Sequence, residues 1–144
     1  MAIAAPPIEI MLIEDNAADV RLTVEALKDA RVANRLHVAR DGVEAIRMLT
    51  EPDTAMPRPD LILLDLNLPR KDGRDVLKEI KQDEALRHIP VVILSTSRAE
   101  QDILHSYRLG ANAFITKPVE IDQFFEAMRS LEQFWLTVAK LTRP

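Results

Sequence analysis

Five side chains of this 144-residue chain could do chemistry together: the carboxylates of Glu14, Asp15 and Asp65, the Ser95 hydroxyl and the Lys117 ammonium. Each stands at the end of a short apolar run, after Ile8 to Ile13, Leu61 to Leu64, Val91 to Leu94 and Ala113 to Ile115. Carboxylates gathered closely repel one another and cannot all stay ionised unaided, so a hard cation is the natural remedy. All-oxygen ligands point to magnesium or manganese. Mg²⁺ takes one or two carboxylates and keeps several waters, which leaves positions for a phosphoryl oxygen. Asp65 is then the candidate nucleophile. It is ionised at neutral pH without help from a base, while the metal and Lys117 neutralise the phosphoryl oxygens that would otherwise repel it. Ser95 is placed to hydrogen-bond a phosphoryl oxygen once one arrives, and its neighbours on the following helix could move with it.

The elements that must position these residues follow from periodicity. A fifth strand-like run, Leu36 to Ala39, joins the four above, each short and rich in Ile, Leu or Val. Helical spacing appears between them: Val20, Val24 and Leu27; Val43, Ile46 and Leu49; Val76, Leu77 and Ile80; Ile103, Leu104 and Tyr107. A last stripe runs through Ile121, Phe124, Met128, Leu131, Trp135 and Val138. Asn16 can cap the first helix, Asp41 with Glu44 and Ser97 with Glu100 have capping-box spacing, and Gly110 suits the end of the fourth helix. Pro52, Pro57 and Pro59 mark a loop from Thr50 to Pro59. Five alternations of strand and helix predict an α/β fold, a doubly wound parallel sheet with helices on both faces. Such sheets bind ligands in the crevice beyond the carboxyl ends of the strands, where the five chemical residues fall.

Composition narrows the function. The length suits one domain with little room for a fused output module, and 47% hydrophobic with 29% charged residues is ordinary globular material. The three glycines, Gly42, Gly73 and Gly110, lie too far apart to write a dinucleotide-binding turn or a P-loop. A net charge of −4 has the wrong sign for holding a phosphate backbone, so nucleic acid is not an expected partner. Without cysteine there are no thiolate nucleophiles or thiolate metal sites, which fits a reducing compartment. No apolar run approaches a membrane span, and Met1 to Ile8 lacks the basic lead of a signal peptide, so a cytoplasmic protein away from membranes is expected. His37, His88 and His105 form no metal-binding pair, and Arg70-Lys71 with Lys78 and Lys81 read as a solvated face.

In order along the chain, four segments resemble the receiver domains of two-component response regulators. They are Ile13-Glu14-Asp15-Asn16; Asp60-Leu-Ile-Leu-Leu-Asp65-Leu-Asn67-Leu-Pro69 with Asp72-Gly73; Pro90-Val-Val-Ile-Leu-Ser95; and Phe114-Ile-Thr-Lys117-Pro118. The resemblance covers nearly the whole chain. It implies a flavodoxin-like sheet of five parallel strands in the order 2-1-3-4-5 with five helices. An N-terminal arm would occupy residues 1–7, and a receiver with an extended C-terminal helix residues 8–144.

The same resemblance implies that Asp65 accepts a phosphoryl group from a sensor histidine kinase. Asp15 and Asp65 would ligate Mg²⁺ with the Asn67 carbonyl, Glu14 acting through water, and Lys117 would contact the phosphoryl group. Ser95 and Phe114 would form a switch pair. Serine keeps the hydroxyl of the more usual threonine, whereas phenylalanine lacks that of the frequent tyrosine. Within the family, Asp65 to Leu77, Ser106-Tyr107, Lys117 to Phe124 and Phe134-Trp135 resemble the small regulators that partner bacterial phytochromes. Those relatives form homodimers. Here Phe134 and Leu141 lie off the main stripe of the last helix, so Phe134, Trp135 and Leu141 are the expected partner surface. The competing reading is a Mg²⁺ phosphatase with an aspartyl nucleophile. It needs a second acid two residues after Asp65, where Asn67 stands, and an amide cannot act as a general acid. The expected role is therefore a stand-alone phosphoacceptor that acts by binding partners, not an enzyme with its own substrate.

Overall fold

A computed structural model describes residues 7–28, 33–51, 56–95, 108–117 and 122–123. The elements are β1 (Ile8–Ile13), α1 (Ala17–Lys28), β2 (Asn34–Ala39), α2 (Gly42–Thr50), β3 (Leu61–Asp65), α3 (Gly73–Gln82), β4 (Val91–Ser95) and β5 (Ala113–Thr116). All five strands are parallel and lie in the order β2-β1-β3-β4-β5. This is the flavodoxin-like winding expected above, and three helices stand among the described residues. The expected fourth and fifth helices, the Ser97–Glu100 pair, the terminal residues Phe134, Trp135 and Leu141, and residues 1–6 of the expected arm lie outside them.

Both faces of the sheet are dry, which is why β3 and β4 read as unbroken apolar runs rather than as alternating ones. Leu61, Ile62, Leu63 and Leu64 are all fully buried, each side chain contributing about 1.5–3 kcal/mol over an exposed one. One face carries Ile10, Leu12, Leu63 and Leu94 and packs on Ala26 and Leu27 of α1. The other carries Met11, Ile13, Leu64 and Ile93 and packs on Val76, Leu77 and Ile80 of α3 and Ala45 of α2. The chain thus crosses above the sheet through α1 and below it through α2, and reverses direction at β1.

Local capping follows the sequence. The Asn16 side chain accepts the Asp19 amide at 3.0 Å, and Asp41 accepts the Glu44 amide at 2.7 Å. Glu44 returns its bond to the Arg40 amide, one residue short of a full capping box. Gly110 takes a left-handed φ of 104°, a backbone that favours glycine, while the helix it is expected to end falls outside the described residues.

Three expectations need correction. On α1 the buried residues are Thr23, Ala26 and Leu27, with Val20 and Val24 only half-buried. Thr23 is tolerated inside because its hydroxyl donates to the Asp19 carbonyl at 2.9 Å. Val43 is 42% exposed, because Gly42 and Ala45 are the residues that let α2 approach closely. Lys81 is no solvated lysine. Its ammonium donates to the carbonyls of Arg87 and Ile89 and to Asn112 Oδ1, stitching the end of α3 to the turns before β4 and β5. Burial lowers its affinity for the proton.

Candidate phosphoryl-transfer site

The carboxyl ends of β1, β3 and β5 deliver the residues picked out by type and spacing. Glu14 follows β1, and its amide donates to the Ala39 carbonyl at 2.9 Å, extending the β1–β2 ladder by one residue. Asp65 ends β3, where Asp65 aligns with Leu94 of β4. Lys117 follows β5 and is tied down by its amide, which donates to the Ser95 carbonyl at 2.9 Å. Three separate strands thus carry their charges to one edge, and the backbone ladder fixes their spacing before any side chain interacts.

The Lys117 ammonium, with its side chain only 7% exposed, is the centre of the arrangement. It forms an ion pair with Glu14 and lies 2.9 Å from Asp19 Oδ2 and 3.1 Å from Asp65 Oδ2. Burying an ammonium is costly unless it is paired and hydrogen-bonded, and here three carboxylates do both. Burial alone would weaken its hold on the proton. Hydrogen bonds to Glu14 and Asp19 and the charges of Asp65 and Glu14 outweigh that effect and strengthen it. Glu14 shows the opposite balance: burial first, and the neighbouring Asp65 second, push its carboxyl up to about 7 against the opposing pull of Lys117.

Glu14, Asp15 and Asp65 each offer an oxygen, and these atoms lie within 4.8 Å of one another. Glu14 Oε1 is fully buried against the Lys117 ammonium. Three carboxylates gathered this closely, two of them buried, fit a hard divalent cation. Asp15 is exposed and opens this cluster to solvent. Asn67 is exposed as well, and its amide donates to Asp65 Oδ1 at 3.1 Å, anchoring the loop after β3 on the central carboxylate.

The remaining expected residues lie on the neighbouring strands β4 and β5. Ser95 is buried at the end of β4, in register with Thr116. Phe114 is half-buried on β5, in register with Ile93, and packs on the α2–α3 side of the sheet. Below the loop after β3, Gly73 comes so close that an added Cβ would lie 2.3 Å from the Asp65 carbonyl oxygen. Its amide donates to the Leu66 carbonyl at 2.9 Å. Glycine is required here by close approach rather than by an unusual φ.

Asp19 is the residue that sequence reasoning missed. An acid in the first turn of a helix has a ready explanation in the helix dipole and cap. Its position five residues after Glu14, at the start of the helix that leaves the site, was the signal available.

Comparison with known proteins agrees with this fold. A model of the response regulator receiver domain matches residues 10–129. Response regulator Rcp1 of Synechocystis sp. is 46% identical over 138 residues, covering 94% of this chain and 94% of its own. Its Mn²⁺-bound crystal structure superposes with a TM-score of 0.75 over 90% of this chain and 95% of that one. The bacteriophytochrome response regulator AtBRR is 47% identical with a TM-score of 0.78, covering 88% of this chain and 93% of that one. The phosphorylated cyanobacterial phytochrome response regulator RcpA is 51% identical with a TM-score of 0.75, covering 92% and 96%. With the winding of the sheet, the acidic cluster and matches of this extent in hand, the chain belongs to the response regulator receiver domain family.

Proposed function

We propose that the protein is the phosphoacceptor of a two-component signalling pathway, with Asp65 as the residue phosphorylated. The observation that carries this reading is the convergence of Glu14, Asp15, Asp65 and the buried Lys117 ammonium at one end of the sheet. A carboxylate oxygen of Asp65 attacks the phosphorus of a kinase phosphohistidine, the P–N bond breaks, and the imidazole leaves with a proton from solvent. Lys117 neutralises charge on the transferred group. Asp15, Asp65 and the Asn67 carbonyl, with Glu14 through water, would hold Mg²⁺ or Mn²⁺, which would supply charge neutralisation at the phosphoryl oxygens. Similarity to Rcp1, whose solved structure is a Mn²⁺-bound form, supports that cofactor. Asn67 favours a phosphoacceptor over a phosphatase, since an amide cannot protonate a leaving group.

The switch pair is Ser95, which donates its hydroxyl to the aspartyl phosphate, and Phe114, which turns inward behind it. Similarity to AtBRR and RcpA supports a phytochrome-type sensor histidine kinase as the donor. The proposed receiver spans residues 8–144 behind an arm of residues 1–7, has five helices, works in the cytoplasm and forms a homodimer. Phe134, Trp135 and Leu141 of the last helix form the partner surface. Among the described residues no helix is long and apolar enough to cross a membrane.

Incubation with Mg²⁺ and a small acyl phosphate, followed by intact-mass spectrometry, tests the chemistry. One added phosphoryl group on the wild type and none on Asp65→Asn is expected. An unmodified wild type, or an undiminished adduct on the variant, overturns it. Light scattering tests the dimer: replacing Phe134 and Trp135 with Ala should halve the molar mass.

A further inference from the structure

We infer that Asp19 is a positioning residue for Lys117: it holds the ammonium when a divalent cation claims the carboxylates of Glu14 and Asp65. This inference rests on the metal-assisted reading above. In the metal-free arrangement Lys117 touches Glu14 and Asp65, and these are two of the three carboxylates that converge to offer a cation site. Lysine and metal therefore compete for the same carboxylates. Asp19 also touches the ammonium, at 2.9 Å, yet it is not one of the three converging carboxylates. Among the described residues it is the one carboxylate partner that Lys117 can keep when the cation enters.

A side chain only 7% exposed cannot exchange those partners for bulk water cheaply, so a protein partner at that moment lowers the cost of admitting the metal. The position of Asp19 is held independently of its carboxylate. Its amide donates to Asn16 Oδ1 at 3.0 Å and its carbonyl accepts from Thr23 at 2.9 Å, and both bonds survive replacement by Asn. Without the Asp19 charge, Lys117 depends wholly on Glu14 and Asp65 and competes more strongly with the cation. Asp19 thus assists metal binding through Lys117, and hardly at all as a distant negative charge, because solvent screens a partly exposed carboxylate.

A thermodynamic cycle separates the two routes. Mg²⁺ affinity is measured by titration calorimetry on the wild type, Asp19→Asn, Lys117→Gln and the double variant, with circular dichroism melts to verify folding. Asp19→Asn should weaken Mg²⁺ binding about tenfold when Lys117 is present and by no more than about twofold in the Lys117→Gln background. Asp19→Glu should restore most of the affinity. In the metal-free protein, acylation of Lys117 by an amine-reactive reagent, read by peptide mass spectrometry, should accelerate several-fold in Asp19→Asn. Equal losses in both backgrounds, or no loss in either, overturn the positioning role, as does an unchanged acylation rate. A wild type that binds no Mg²⁺ instead overturns the functional reading itself and this inference with it.

Discussion

Replacing Gly73 with Ala pits two effects of opposite sign against each other. Gly73 is the first residue of α3, and helix propensity alone favours Ala by up to about 1 kcal/mol. The structure opposes it. A Cβ built at residue 73 lies 2.3 Å from the Asp65 carbonyl oxygen, 2.6 Å from Leu66 Cα and 2.9 Å from the Leu66 carbonyl oxygen. All three are backbone atoms of the segment that carries the phosphoacceptor, so none can rotate away. Relief requires a shift of about 1 Å, since carbon contacts are comfortable only near 3.5 Å. Overpacking of this kind costs about 1–3 kcal/mol, and stretching the bond from the Gly73 amide to Leu66 adds about 0.5–1.5 kcal/mol. The net expectation is a loss of about 2–3 kcal/mol, or roughly a 10 °C fall in Tm for a domain of this size. Displacing the end of β3 should also weaken Mg²⁺ binding, which urea denaturation and calorimetry on the same samples would reveal. Gly110→Ala is the control. Its φ of 104° costs a side chain about 1 kcal/mol, its nearest neighbour is the flexible Lys81 stem at 3.0 Å, and metal binding should not change. A Gly73→Ala protein as stable as wild type with unaltered metal affinity would refute the reasoning.

Two further outcomes follow from the electrostatics. In chelator, stability should fall as pH rises from 4.5 to about 7, because across that window folded Glu14 keeps a proton that the unfolded chain has released. The drop is on the order of 3 kcal/mol and should be absent in Glu14→Gln; parallel urea midpoints for the two proteins between pH 5 and 7.5 would contradict it. Lys81→Met should cost about 1–3 kcal/mol in urea denaturation, since the Ile89 carbonyl and Asn112 lose a donor, while leaving Mg²⁺ affinity intact. A neutral substitution would mean that the three bonds contribute nothing to the fold.

What the sequence made legible and what it hid divide along physical lines. Glu14, Asp65 and Lys117 could be placed together because parallel strands deliver their last residues to one edge, a consequence of winding that needs no side-chain geometry. The buried strands were equally plain, since Leu61 to Leu64 and Val91 to Leu94 cannot be exposed without great cost. The start of β2 was hidden because Asn34 and Arg35 sit on an edge strand, where one side of the ladder faces solvent and polar residues are tolerated. Thr23 and Lys81 were hidden because each looks polar in sequence and is drawn in from solvent only by partners that folding supplies: the Asp19 carbonyl for one, three acceptors on two turns for the other. Asp19 was hidden for a related reason. A helix-start acid satisfies a local rule, and its bond to Lys117, ninety-eight residues away, is a tertiary fact.

The central claim is that Asp65 itself receives the phosphoryl group. Borohydride reduces an aspartyl phosphate to homoserine, so treating the Mg²⁺- and phosphodonor-loaded protein with borohydride and sequencing its peptides by mass spectrometry locates the modified residue. The account predicts homoserine at residue 65, lost when Mg²⁺ is withheld. Homoserine at residue 15 or 19 instead, hydroxynorvaline at residue 14 from a reduced glutamyl phosphate, or no reduction at residue 65 in a protein that carries the phosphoryl mass, would contradict it.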